Sequence, residues 1–476
     1  MDRIERESQE NILRISHVVS KAYSLGKEHR IDEAYETLRP YLERDEVPTY
    51  FSQPAGWTLY RYVKEKLSTL LPQQGRSIFG YYLNFCSHKP DMVHSYMLVL
   101  AMMYTKLHMQ EFPFVDFCRS WNLDSLRDED YVSTEGKGAD GKPVVFQSLA
   151  IKVTTLLYKE IKSFRSPELA REFLPFFEKV LQRCPDYEFT SLYIANLHAW
   201  QGDKDTAIDM FKQMIVRRPQ WYLWQHLGDL MDDDVKLSCY CKTLTLMDNE
   251  EYIGRIHLAL SSLLINQCPE QAAYELQTYV NTYQSNGWKC NAMANELMKQ
   301  LSSVAPASNG KSFYVQHMKA AEDFVFSDYP QDEFIFSGVK PNAKGKPRAC
   351  LSNHKKHLFA KLQLMPMLKK ANVGDVFTCR YNAQGGHAVL LTLHPTGKSV
   401  SFKMDKTPFK PSSDKGKVVE GKVRIRPDKL FAFLDRYYIS PRLRQSCALV
   451  DGQMIKALAT QEQDGRWRVT KILSMS

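Results

Sequence analysis

Apolar positions recur every three to four places through the first ~300 residues, and every second place after residue 332. The first rhythm predicts helices joined by short turns. Ile12, Ile15, Val19, Ala22 and Leu25 share one face. A turn at Gly26 to Arg30 leads to a second helix carrying Ala34 and Leu38. Residues 186–220 follow the same plan. A helix is predicted from Phe189 to Trp200, Gly202-Asp203 makes the turn, the next helix carries Ala207 and Phe211, and Pro219 stops it. Trp224, Leu227 and Gly228 then open a new unit, and Ala259, Ala272 and Leu276 mark another. PASNGKS (306–312) has linker composition, and an amphipathic helix is expected from Phe313 to Phe324. The second rhythm predicts strands: two in GDVFTCRYNAQGGHAVLLTL (374–393), and a strand-dense region over 420–474. The Lys/Pro/Ser-rich segment 396–418 between them is expected to be exposed.

The helical segments resemble tetratricopeptide repeats, which recur every ~34 residues. The match rests on the Gly202 turn, the Ala207–Phe211 pair, Pro219, and the W-x-x-L-G string of Trp224, Leu227 and Gly228. A small residue lets two helices cross closely, and a large apolar residue four places later fills the gap. About three units are legible, their spacing slips, and the consensus tyrosine of the first helix is often absent. Irregular helical repeats of another type therefore stay open. A repeat scaffold implies a groove for a protein or peptide partner.

The C-terminal residues read EGKVRIRPDKLFAFLDRYYISPRLRQSCALVDGQMIKALATQEQDGRWRVTKIL (420–473). Five strands are expected, at Gly421 to Arg426, Lys429 to Leu434, Tyr437 to Ser440, Gln453 to Thr460 and Trp467 to Ile472. Alternation turns Val423, Ile425, Leu430, Ala432, Leu434, Tyr437 and Ile439 inward. It turns Lys422, Arg424, Arg426, Phe431 and Phe433 outward. Order and spacing are similar to a cold-shock or S1-like OB-fold. By that resemblance Phe431 and Phe433 correspond to the first aromatic motif, and Tyr438 to the second. Leu430 and Ala432 stand where the family has glycines, and Ser440 where it has histidine. The resemblance implies single-stranded nucleic acid as ligand, with rings stacking on bases and cations tracking phosphates. The competing reading packs Phe431 and Phe433 under the linker or against the preceding domain. A second, poorer OB-like barrel is expected over 333–395.

Charge sharpens the division. Of 63 Lys+Arg and 54 Asp+Glu, residues 336–476 hold 27 basic and 9 acidic side chains, a net of +18. The remainder holds 36 and 45, a net of −9. An acidic body with a basic tail fits a nucleic-acid partner, although a solubilising lysine-rich surface would read the same.

Other chemistry is demoted. Gly136-x-x-x-x-Gly141-Lys142 mimics a phosphate-binding loop, but Pro143 stands where Ser or Thr should hold magnesium. A glycine-rich hairpin or surface loop is expected instead. Cys350, His354 and His357 have zinc-ligand chemistry, yet Lys355 and Lys356 lie between the histidines. Cys239 and Cys241 are read as core packing, and Asp232-Asp233-Asp234 as a helix start. No nucleophile elbow, zinc-protease helix, dinucleotide fingerprint or kinase set is present. The longest apolar run, Tyr96 to Tyr104, is far short of the ~20 residues a spanning helix needs. MDRIERESQE lacks an apolar signal core, and the ten cysteines contain no C-x-x-C pair.

The expectation is therefore a multidomain α + β protein. A tetratricopeptide-like solenoid occupies 1–304, a linker and capping helix 305–332, an OB-like barrel 333–395, a basic linker 396–418 and a cold-shock/S1-like barrel 419–476. The expected role is a cytoplasmic, non-enzymatic adaptor without cofactor or metal. Lys422, Arg424, Arg426, Lys429, Phe431, Phe433 and Tyr438 would hold RNA or single-stranded DNA, and the repeat groove a protein. The alternatives are a protein-interaction scaffold whose basic tail meets an acidic partner, and an enzyme with an unrecognised site in the helical body.

Overall fold

The computed structural model describes residues 3–342, 345–354, 356–362, 365–383, 388–400, 417–425, 431–461 and 467–475. Two compact units emerge, one of Met1–Glu333 with Lys356–Ala360 and Thr378–His394, the other of Phe334–Lys355, Lys361–Phe377 and Pro395–Ser476.

Helices fill the chain as far as residue 326. They begin with α1 (Arg3–Lys27), α2 (Ile31–Glu43), α3 (Ser52–Lys66), α4 (Pro72–Phe85), α5 (Met92–Leu107) and α6 (Phe114–Trp121). A hairpin of β1 (Thr134–Lys137) and β2 (Pro143–Phe146) interrupts them, with Gly141 at φ 75° in its turn. This is the segment that imitates a phosphate loop, and Lys142 pairs with Asp140 at 3.0 Å. Then come α7 (Leu149–Phe164), α8 (Pro167–Arg183), α9 (Phe189–Trp200), α10 (Lys204–Arg217), α11 (Trp221–Leu230), α12 (Asp233–Leu246), α13 (Glu250–Leu264), α14 (Pro269–Ser285), α15 (Ala292–Gln300), α16 (Lys311–His317) and α17 (Lys319–Phe326).

Packing runs mostly between sequence neighbours, α1 on α2, α9 on α10, α11 on α12 and α13 on α14. The α9–α10 pair shows the cause. Gly202 takes φ 98°, the left-handed conformation that ends a helix without a Cβ clash. Asp203 then accepts a hydrogen bond from the Thr206 amide and caps α10. Ala207 and Phe211 are wholly buried beneath the crossing. Of the first predicted face, Ile15, Val19, Ala22 and Leu25 are buried, but Ile12 is exposed.

Residues 311–326 turn back along the body. The Ser238 hydroxyl in α12 donates to the His317 carbonyl at 2.6 Å and accepts from the Ala321 amide at 2.7 Å. The predicted single helix here is broken at Met318 into α16 and α17.

A five-stranded sheet follows: β3 (Gln331–Pro341), β4 (Pro347–Ser352), β5 (His357–Lys361), β6 (Asp375–Asn382) and β7 (Val389–Ser399), in the order β5-β4-β3-β6-β7. No strand is expected from the sequence at β4, whereas Ala349, Cys350 and Leu351 are all buried in it. A closed barrel completes the chain: β8 (Lys417–Ile425), β9 (Ala432–Leu434), β10 (Tyr437–Ile439), a short α18 (Pro441–Ser446), β11 (Met454–Gln461) and β12 (Trp467–Met475). Around it the order is β8-β9-β10-β12-β11 and back to β8. This first-second-third-fifth-fourth order is that of an OB-like barrel. The sheet has the same neighbours, first beside second, second beside third, first beside fourth and fourth beside fifth. The barrel adds a parallel pairing of third and fifth strands, Tyr438 opposite Arg468. Its core is Val423, Ala432, Leu434, Tyr437, Ile439, Ile455, Ala457, Ala459 and Val469.

Candidate nucleic-acid interface

The alternation of β8 buries Val423 and leaves Lys422 and Arg424 on its outer side. In β9, Ala432 and Leu434 are buried and Phe433 is half-buried on the outer side. In β10, Tyr437 and Ile439 are buried and Tyr438 is half-buried. A two-residue turn joins these strands, with Asp435 at φ 53°, a conformation that aspartate tolerates better than most residues.

Register then decides which outward side chains meet. Arg424 stands opposite Phe433, Phe433 opposite Tyr438, and Tyr438 opposite Arg468 of β12. One transverse row thus reads Arg424–Phe433–Tyr438–Arg468. Three inter-strand gaps of ~4.8 Å give it a span of roughly 14 Å, about four stacked nucleotides at ~3.4 Å each. Phe431, just before β9, closes the group. Its ring centroid lies 5.6 Å from Phe433 and 5.5 Å from Tyr438, and those two are 5.9 Å apart. The Phe431–Phe433 pair is edge-to-face at 88°, a favourable aromatic geometry. The Arg468 guanidinium lies 5.8 Å from the Tyr438 ring centroid, within cation–π range.

Lys422 and Arg424 occupy the outer face as sequence alternation expects. Phe431, Phe433 and Tyr438 form one cluster, each half-covered by its neighbours rather than freely exposed. Arg426, Lys429 and the inward assignment of Leu430 lie outside the described residues, as does most of the 396–418 segment. Arg468 is the residue that sequence reading misses. Its own strand alternates correctly, with Val469 buried beside it. What makes it part of the row is the parallel β10–β12 pairing, between strands about thirty residues apart in the chain.

Cys350 is buried in β4, while His357 is exposed on β5. No group of three metal-binding side chains occurs among the described residues. Cys239 and Cys241 are wholly buried, and burial pushes the Cys239 thiol up to about 12. All ten cysteines are free thiols. No helix among the described residues is long and apolar enough to cross a membrane.

The helical body holds two buried ionic networks. Glu275 of α14 is wholly buried. Its carboxylate meets His257 Nδ1 at 2.5 Å and accepts from the Tyr314 hydroxyl at 2.8 Å and the Gln271 amide at 2.6 Å. The Glu250 carboxylate stands 2.7 Å from Nε2 of the same histidine. Burial acts to lower the His257 pKa, but the two carboxylates override it and hold the ring at about 9. The second network centres on Glu322 of α17, with Lys242 at 2.5 Å and His394 at 2.6 Å. Burial opposes its ionisation, yet these two partners keep its pKa below the usual carboxylate value. Both networks tie α16 and α17 to the body, and every group in them faces another group of the protein. That is the pattern of a fastening.

The family model described as a domain of unknown function (DUF7017) matches residues 188–321, from the start of α9 into α17. No curated protein matches the chain.

Proposed function

We propose that the chain is a non-enzymatic adaptor. Its barrel binds single-stranded RNA or DNA, and its helical body, read as a tetratricopeptide-like solenoid, holds a protein partner. The nucleic-acid reading is carried by one observation, the in-register row Arg424–Phe433–Tyr438–Arg468 on the second- and third-strand face of the barrel. In OB-like barrels this face takes extended oligomers. Rings there offer bases a stacking surface that tolerates any sequence, and flanking guanidiniums offer phosphates charge. Lys422 and the +18 tail extend the attraction, and Arg426 and Lys429 belong to the same proposed site. The cold-shock-like reading of the barrel rests on the same aromatics. The groove reading rests on the stacking of helices on their sequence neighbours, the packing by which solenoid scaffolds present a groove to a partner.

The test uses the full chain and fluorescent single-stranded RNA and DNA of 20 nucleotides, titrated at several salt concentrations. Expected is binding that weakens linearly in log–log form with salt. The slope should shrink by about 0.7 for each phosphate that Arg424→Ala or Arg468→Ala ceases to neutralise. Absence of binding at low salt, or equal binding by these variants, overturns the reading. Equally tight capture of polyglutamate would favour the acidic-protein alternative.

A further inference from the structure

We infer that β5 carries a second base-stacking station, centred on Phe359, for single-stranded nucleic acid; this rests on the nucleic-acid reading of the barrel. Strand β5 alternates His357, Phe359 and Lys361 outward with Leu358 and Ala360 buried. Phe359 is 61% exposed. A lone exposed ring is ordinary on a protein surface, and three further observations distinguish this one.

The first is charge. From Phe334 to Gly374 the sequence contains nine lysines and arginines and not one aspartate or glutamate. The ring therefore stands in the most one-sidedly cationic stretch of an otherwise mixed chain, with His357 and Lys361 as its neighbours on the strand face. An anionic polymer is the ligand that such a stretch complements. The second is topology. β5 is the third strand of a sheet that shares its strand neighbours with the barrel, and the third strand of the barrel is β10, which carries Tyr438. Each third strand thus presents one aromatic side chain outward between buried residues on either side: Tyr438 between Tyr437 and Ile439, Phe359 between Leu358 and Ala360. The third is the core. Leu358 and Ala360 already fill the inward positions, and Phe359 is not needed there.

Stacking on Phe359 needs only the ring face, because every base presents a π-surface.

The experiment titrates the full chain and its Phe359→Ala, Phe359→Trp and Phe433→Ala variants with poly-uridine oligomers of 6 and 30 nucleotides. Ultraviolet cross-linking to bromouridine-substituted 30-mer, read by mass spectrometry, maps the points of attachment. Expected is a loss on the order of tenfold in affinity for the 30-mer in Phe359→Ala, near wild-type affinity in Phe359→Trp, and a cross-linked peptide containing Phe359. The ring is mostly exposed, so melting should be unchanged in both variants. If Phe433→Ala weakens binding while Phe359→Ala binds the 30-mer as wild type does, the second station is refuted and the barrel reading stands. If the wild-type chain captures polyglutamate but neither oligomer, both readings fall together.

Discussion

The histidines of this chain show how identical side chains acquire opposite roles from their neighbours. His94 lies between Tyr82, whose hydroxyl is 2.6 Å from Nδ1, and the Trp121 carbonyl, 3.1 Å from Nε2. It stacks on the Trp121 ring at 4.0 Å. A neutral ring satisfies both partners, and burial pushes its pKa down to about 4. The unfolded chain therefore binds a proton here, near pH 6.5, before the native state does. Stability should fall as pH drops from 6.5 toward 4. His257 does the reverse, since its folded value of about 9 lies above the unfolded one. Its contribution is complete below pH 6.5 and is lost as pH rises through 9. Urea denaturation across pH 4 to 10 should show both limbs. Glu275→Ala should move the alkaline limb to lower pH and cost about 3–5 kcal/mol at neutral pH, because the buried His257 keeps only one of its two carboxylates. An alkaline limb that stays at the same pH in this variant would refute the assignment. On the barrel, Phe433→Leu keeps an apolar group on the half-buried outer face while removing the ring. Melting should shift by only a few degrees, and single-strand binding should weaken by about 1–3 kcal/mol.

Helix pairs depend on close approach at a few positions, and those positions are testable. A Cβ on Gly228 of α11 would lie 3.0 Å from the Cβ of Cys239 and from the Tyr240 ring of α12. A Cβ so near another, on a helix that cannot retreat, forces the pair apart. Gly228→Val should destabilise the chain by about 1–3 kcal/mol, and Asp203→Ala by about 1 kcal/mol through removal of the α10 cap; chemical denaturation measures both. These two residues also show what was legible beforehand. The α9–α10 turn, the Ala207–Phe211 pair and the glycine of α11 announce themselves because helix ends and crossings need particular small or capping residues. The alternation of β8, β9 and β10 is likewise a local property, so Lys422, Arg424, Phe433 and Tyr438 could be assigned to the outer face from the sequence. Register is not local. The partnership of Tyr438 with Arg468 depends on a parallel pairing that no periodicity records. Strand β4 was hidden for a different reason: Pro347, Arg348 and the following lysines give it the look of a basic loop, while its buried centre is only Ala349, Cys350 and Leu351.

Taken whole, the chain joins two kinds of connectivity, and its charge follows the same division, with −9 before residue 336 and +18 after it. Raising salt should therefore weaken oligonucleotide binding steeply while leaving the helical melting transition almost unmoved, since ~0.15 M salt already screens exposed charges beyond ~8 Å; parallel binding titrations and circular dichroism at 0.05 and 0.5 M check this. Closure of the barrel bears on how the chain is made. Helices that pack on their neighbours can form as soon as each pair is complete, because little chain entropy is lost in bringing them together. The barrel has no such freedom. Until β12 is present, β10 has no partner on one side and β11 none on its outer side, so a nascent tail would hold two open strand edges, the features most prone to wrong pairing. Refolding from urea should accordingly proceed in two kinetic phases, a fast gain of helical signal at 222 nm and a slower recovery of oligonucleotide binding. A chain lacking residues 467–475 should complete the first and never reach the second.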